Sequence, residues 1–260
     1  MRIGLIDVDG HNYPNLPLMK ISAWHKQQGD HVEWYQPMFS GHMDIVYMSK
    51  VFSFTPDYEY CIDAEKIVRG GTGYAIKLVD GKEVYDKSKD IPLSEEIEHI
   101  YPDYSLYPEQ TKDTAYGFLT RGCPRGCGFC HVAPKEGKCS VKVANLSEFW
   151  RGQKNIVLCD PNILAYPGHI ELLQQLADSG SRVNFNQGID IRLVNDENLE
   201  LLKRIKPITK MTGNTVATNN HVFRLPPAAS EMLPTSVGLT AAPKSPAIRS
   251  CRFLQRFLFG

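Results

Sequence analysis

Short apolar runs alternate with helix-length segments along this chain, and few folds accept that order. Residues 2–8 (RIGLIDV) are a compact Ile, Leu and Val run that stops at the polar turn Asp7 to Gly10, the pattern of a buried strand entering a loop. Residues 18–28 carry a helical period after Pro14 and Pro17 and close at Gly29, and strand-like runs follow at 31–35, 44–48 and 65–69. The order then repeats, with strands expected at 115–120, 155–158 and 182–186 and a short helix at 146–151. A helix over 168–178 has Ile170, Leu173, Leu176 and Ala177 at helical spacing and Gly180 as its stop. The next is capped by Asn195 and gathers Leu199, Leu202 and Ile205 on one face. Strands joined by helices must pair in parallel, because the crossover returns the chain to the same sheet end. The expected fold class is therefore α/β, with ligands at the C-terminal ends of the strands.

The chain has 260 residues, enough for two units. The stretch between the two βα series is charged, turn-rich and dotted with Tyr and Pro, so the expected organisation is a Rossmann-like unit at 1–79, a linker at 80–110 and a second unit at 111–206. The alternation stops near Pro207. From there to Gly260 one acidic residue, Glu231, faces six Lys or Arg, with six prolines and many small polar residues. As a native feature this is a disordered basic tail. The preferred expectation is an α/β domain interrupted midway and followed by sequence that did not evolve with it, as a truncated or frameshifted reading frame would produce.

Charge and hydropathy narrow the function classes. Lys plus Arg equals Asp plus Glu at 29 each, so no overall positive field draws the chain onto nucleic acid. No apolar run reaches the roughly 18 residues of a membrane helix, and Asp7 and Asp9 break the N-terminal apolar stretch that a signal peptide needs. A cytoplasmic protein without membrane partners is expected. Of the seven cysteines, three fall within residues 123–130, which suits metal binding in a reducing compartment better than a disulfide framework.

That segment is Arg121-Gly122-Cys123-Pro124-Arg125-Gly126-Cys127-Gly128-Phe129-Cys130. Three thiolates at this spacing can converge on one cluster face, and the glycines allow the tight backbone such wrapping requires. Structural zinc and the four-iron clusters of electron carriers normally take four protein ligands. Three leave one metal position open. Two other readings stay available: a zinc knuckle completed by His131 or Cys139, and a four-cysteine cluster using Cys139. Cys61, Cys159 and Cys251 read as thiols without assigned chemistry.

The loop resembles the signature of the radical S-adenosylmethionine superfamily, C-x3-C-x2-C with an aromatic residue before the last cysteine, here Phe129. The resemblance covers residues 1–206 in architecture and is specific in sequence at 121–130. It implies a partial, incomplete (βα)6 half-barrel, of which three βα units are expected here. It also implies a [4Fe-4S] cluster on Cys123, Cys127 and Cys130, with S-adenosylmethionine chelating the open iron and cleaved reductively to start radical chemistry on an unknown substrate. A reductant such as flavodoxin or ferredoxin is implied as partner. Phe129 would lie beside the adenine. Asp160, where the superfamily often has Gly-Gly-Glu, would pair with the cosubstrate's ammonium; Arg192 would bind its carboxylate, and Gln187 or Asp190 the ribose hydroxyls. A non-catalytic metal-binding module and an inactive fragment are the alternatives.

The N-terminal unit resembles the Rossmann-type domain of cobalamin-dependent radical enzymes. The pattern D-x-H-x-x-G is echoed incompletely by Asp9, His11 and Pro14, S-x-L by Ser49-Lys50-Val51, and the downstream glycine pair by Gly70-Gly71. Proline in place of the pattern's glycine disfavours cobalt ligation by His11, so cobalamin is not an expected cofactor. Gly70 to Gly73 could instead cradle a phosphate.

Overall fold

The computed structural model describes residues 1–10 and 12–208. The expectations for residues 209–260 and for His11 lie outside the described residues. The first unit comprises β1 (Arg2–Asp7), α1 (Leu16–Gln27), β2 (His31–Trp34), β3 (Met43–Ser49) and β4 (Ala64–Gly70). These four strands form an open parallel sheet in the order β2-β1-β3-β4. Next come α2 (Thr72–Ala75), the antiparallel hairpin β5 (Ile76–Val79) and β6 (Lys82–Tyr85), α3 (Glu95–Glu98) and α4 (Pro108–Thr111). The second unit contains β7 (Thr114–Gly117), β8 (Thr120–Arg121), α5 (Val132–Glu136), β9 (Val141–Lys142), β10 (Asn155–Leu158), α6 (His169–Ser179), β11 (Arg182–Phe185), α7 (Asp196–Arg204) and β12 (Lys206–Pro207). Its main sheet is also parallel, in the order β12-β11-β10-β7. The protein is thus α/β with two open parallel sheets, and neither closes into a barrel among the described residues.

Helix α1 starts two residues before the predicted position. Asn15 caps it, its side chain accepting from the Leu18 amide at 3.2 Å, and Pro17 sits in the first turn, where its missing N–H would have had no helical partner. The helix buries two faces. Leu18 and Ile21 pack on Ile3 and Leu5 of the first sheet, while Leu16 and Met19 pack on Tyr107 of the connecting segment and on Tyr116 and Val157 of the second unit. One helix is therefore shared by both sheets. The segment between the sheets is packed as well: Leu93, Ile97 and Leu106 lie against the first core, and the Tyr104 hydroxyl donates to the Phe149 carbonyl at 2.7 Å while accepting from the Tyr116 amide.

In the second unit α6 runs over His169–Ser179 and ends at Gly180, which takes a left-handed φ of 67°, the stop its glycine predicts. Its Leu172, Leu173 and Leu176 are fully buried against Ile156, Leu158 and Val183, each leucine contributing on the order of 1.5–3 kcal/mol through burial. Two differences from expectation have physical causes. Residues 146–151 form only a 3-10 turn at Leu146–Glu148, because Asn145 and Glu148 cap each other around that single turn and Gly152 follows with a positive φ of 93°. A strand beyond the three expected also joins this sheet: β12 pairs with β11 at Arg182 and Val183. Proline is tolerated there because an edge strand needs no donor on its outer side.

The junction of the units contains a titrating carboxyl. Asp7, at the C-terminal end of β1, accepts from the hydroxyl of buried Tyr107 at 2.7 Å. Burial, reinforced by the charge of Asp9, pushes its pKa up to about 7 against the opposing hydrogen bonds of Tyr107 and the Asp9 backbone. The folded state therefore holds this proton more tightly than the unfolded chain does. The resulting stability is complete below the ordinary carboxylate range, and it is lost as pH rises through about 7. Asp7→Asn keeps an acceptor for Tyr107 and should remove up to about 4 kcal/mol of this pH dependence. Urea unfolding of both chains across that range checks it; an unchanged slope in the variant refutes the assignment.

Candidate functional site

The cysteine loop begins where β7 ends. Gly117 is pressed under the Phe149 ring, with an added Cβ only 2.4 Å from a ring carbon. Beyond it the backbone leaves the sheet, because the Asp160 carboxylate takes the amides of Leu119 (2.9 Å) and Thr120 (2.6 Å) and the Thr120 hydroxyl (2.6 Å). This is why the predicted strand over 115–120 is cut short at Gly117. Thr120 and Arg121 then pair antiparallel with Lys142 and Val141, so β8 and β9 clamp the two ends of the loop. Inside the clamp Gly122, at φ 87°, lies so close to the Cys139 carbonyl oxygen that a Cβ would stand 2.1 Å from it, a position only glycine fills. Glu136 accepts from the Gly122 amide and the Arg121 guanidinium, and the Cys123 amide donates to the Gly137 carbonyl at 3.2 Å.

Cys123, Cys127 and Cys130 are all free thiols, Cys127 exposed and the other two half-buried. The Cys130 amide donates to the Cys127 carbonyl at 3.0 Å. Burial raises the Cys130 thiol pKa, and the charges of Cys127 and Cys123 push it the same way, so the three sulfurs feel one another. Among the described residues, no three His, Cys, Asp or Glu side chains are gathered at metal-ligand distance. Phe129 is half-buried within the loop.

The strand ends of β10 and β11 face this loop. Asp190 bridges two arginines, accepting from Arg125 Nε of the loop at 2.6 Å and from Arg192 Nε at 2.7 Å. Burial alone would raise the Asp190 carboxyl, but the hydrogen bonds from Arg192 and Arg125 outweigh it and hold the pKa below its ordinary value. Buried Asn162 donates from Nδ2 to Asp190 at 3.4 Å and to Cys123 Sγ at 3.7 Å. Gln187 is exposed just beyond β11. The structure thus joins Asp190 and Arg192 to the cysteine loop, leaves Gln187 open, and buries Asp160 beneath the loop with its oxygens already occupied. Asn162 is the residue that inspection of the sequence missed; its only visible sign was a polar position in the turn Asp160-Pro161-Asn162.

Other singled-out positions have structural roles. Gly71, the N-cap of α2, has φ 98° and Gly73 lies within α2, and a Cβ on them would stand 2.3 Å from the Lys50 carbonyl oxygen and 2.7 Å from Lys50 Cγ. These two glycines let the start of α2 pass close to the end of β3. His131 Nε2 lies 3.1 Å from Glu83 on the hairpin, and the Cys139 thiol is exposed. Tyr13, from the loop after β1, brings its hydroxyl to 3.6 Å from Cys159 Sγ and 3.4 Å from the Asn186 amide nitrogen. No helix among the described residues is long and apolar enough to cross a membrane.

The donor set suits a thiophilic metal group. It has three free thiols on one glycine-turned loop, with positive side chains and an amide donor at its border. No protein-family model matches the chain, and no curated protein matches it. Among solved structures it is similar to the radical S-adenosylmethionine methyltransferase TsrM from Kitasatospora setae, solved with tryptophan substrate and a SAM analog, at TM-score 0.48 and 10% identity. It is also similar to OxsB, a cobalamin-dependent S-adenosylmethionine radical enzyme solved with aqua-cobalamin and S-adenosylmethionine, at TM-score 0.44 and 12% identity. The matches take in 79% and 78% of this chain but only 58% of TsrM and 41% of OxsB.

Proposed function

We propose that the chain is a radical S-adenosylmethionine protein whose Cys123, Cys127 and Cys130 hold a [4Fe-4S] cluster. The observation that carries this reading is the loop itself: three free thiols at C-x3-C-x2-C spacing on the C-terminal rim of a parallel sheet. When bound, such a cluster supplies the electron that cleaves S-adenosylmethionine and starts radical chemistry. The protein's own contribution is to hold, orient and exclude water. The β8–β9 clamp and the Arg125–Asp190 ion pair fix the loop over the strand ends. The main chain at Phe129 would border the adenine of a bound cosubstrate, Arg192 would hold its carboxylate and Gln187 its ribose. Asp190 acts by positioning both arginines, and Asp160 supports the loop from below instead of meeting the ammonium. A flavodoxin- or ferredoxin-type protein is the reductant. Cobalamin is not part of this reading, since Pro14 stands where the cobalamin pattern has glycine.

Anaerobic reconstitution with iron and sulfide, followed by metal analysis and spectroscopy with and without S-adenosylmethionine, tests the proposal. The expected result is about four irons per chain and a spectrum that changes when the cosubstrate is added. Stoichiometric zinc without iron would overturn it in favour of a metal-binding module.

A further inference from the structure

Asn162 is buried, yet its side chain is only partly satisfied. Both contacts of Nδ2 go to the functional rim, to Cys123 Sγ at 3.7 Å and to Asp190 Oδ2 at 3.4 Å. Among the described residues, Oδ1 is buried without a hydrogen-bond partner. The orientation is determined, because the ionised Asp190 carboxylate only accepts and so requires the amide's N–H side. Stability alone does not favour this residue: a buried, unmatched carbonyl oxygen costs about 1–3 kcal/mol, and leucine would occupy similar space without that cost. An amide at this place acts on what it touches, the Cys123 sulfur and the carboxylate that holds Arg125.

Resting on the cluster reading above, we infer that Asn162 is a positioning and tuning residue that donates an N–H to the Cys123 sulfur and raises the reduction potential of the cluster bound there. Hydrogen bonds to cluster sulfurs withdraw electron density and favour the more negative, reduced state. Asp190 holds the amide in register, and its ion pair with Arg125 keeps the loop within reach. The unmatched oxygen is the consequence of turning both N–H groups toward this rim.

The test is an anaerobic redox titration, followed by electron paramagnetic resonance, of the full-length reconstituted wild type and of Asn162→Leu, Asn162→Asp and Asn162→Gln. With equal iron content, Asn162→Leu and Asn162→Asp should shift the reduction equilibrium toward the oxidised state roughly tenfold, about 59 mV for a one-electron couple. Asn162→Gln, which restores a donor on a longer stem, should recover part of the shift. A purely structural role would change cluster content but not potential. Unchanged potential in a loaded Asn162→Leu or Asn162→Asp chain overturns the inference, as does loss of the cluster from all three variants while the wild type retains it. A wild type that takes up no four-iron cluster overturns the cluster reading instead.

Discussion

A Cys127→Ala chain, reconstituted anaerobically and desalted, will retain essentially no iron, whereas Cys139→Ala will retain as much as the wild type. Three thiolates are the smallest set that holds a four-iron cluster while leaving one iron open, so two leave it without a stable seat. Cys127 suits this test because it is exposed. Replacing an exposed residue away from caps and special backbone positions changes stability by roughly 0.5 kcal/mol or less. Lost iron would then report ligation and not unfolding, which equal thermal midpoints of the two metal-free chains would establish. Cys139 contributes its main chain to the loop, its carbonyl lying against Gly122, and its exposed thiol is not asked for a ligand. Iron lost from Cys139→Ala to the same extent as from Cys127→Ala would instead identify a four-cysteine cluster.

Local signals carried much of this structure. Asn195 and Gly180 mark helix ends through hydrogen bonds and backbone conformations spanning only a few residues, and the short Ile-, Leu- and Val-rich runs became the parallel strands β1, β3 and β10. What escaped inspection depends on contacts distant in sequence. The early end of β7 is imposed by a carboxylate 41 residues away. The pairing of Asp7 with Tyr107 spans 100 residues. Asn162 acquires meaning only through Cys123, 39 positions before it, and Asp190, 28 after it. Glycines show the same divide. Gly70 to Gly73 suggest a phosphate cradle by composition, but at Gly71 and Gly73 the close passage of Lys50 supplies the need for a missing side chain. The cysteine spacing was legible because ligand number and softness are properties of residue type. The carboxylate beneath it was not, because a strand-end Asp looks the same whether it faces a ligand or a neighbouring backbone.

That carboxylate should prove the largest single support of the site. Asp160→Ala leaves the amides of Leu119 and Thr120 and the Thr120 hydroxyl, on two fully buried residues, without their acceptor. Each lost partner costs about 1–3 kcal/mol, so a total destabilisation of roughly 3–9 kcal/mol is expected when pH is low. The cost should shrink as pH rises. Burial pushes the Asp160 carboxyl up to about 6, past the lowering effect of its hydrogen bonds, so the folded state again binds the proton more tightly than the unfolded chain. This stabilisation is full below the ordinary carboxylate range and lost as pH rises through about 6. The alanine variant has no such slope, and the difference between the chains should fall by about 3 kcal/mol across that interval. Urea unfolding of metal-free wild type and variant over the same range measures both quantities. Because Asp160 also holds the backbone that enters the cysteine loop, the variant should load iron poorly even where it is folded. A variant as stable as the wild type at every pH, with full iron content, would show that Asp160 does not support the loop.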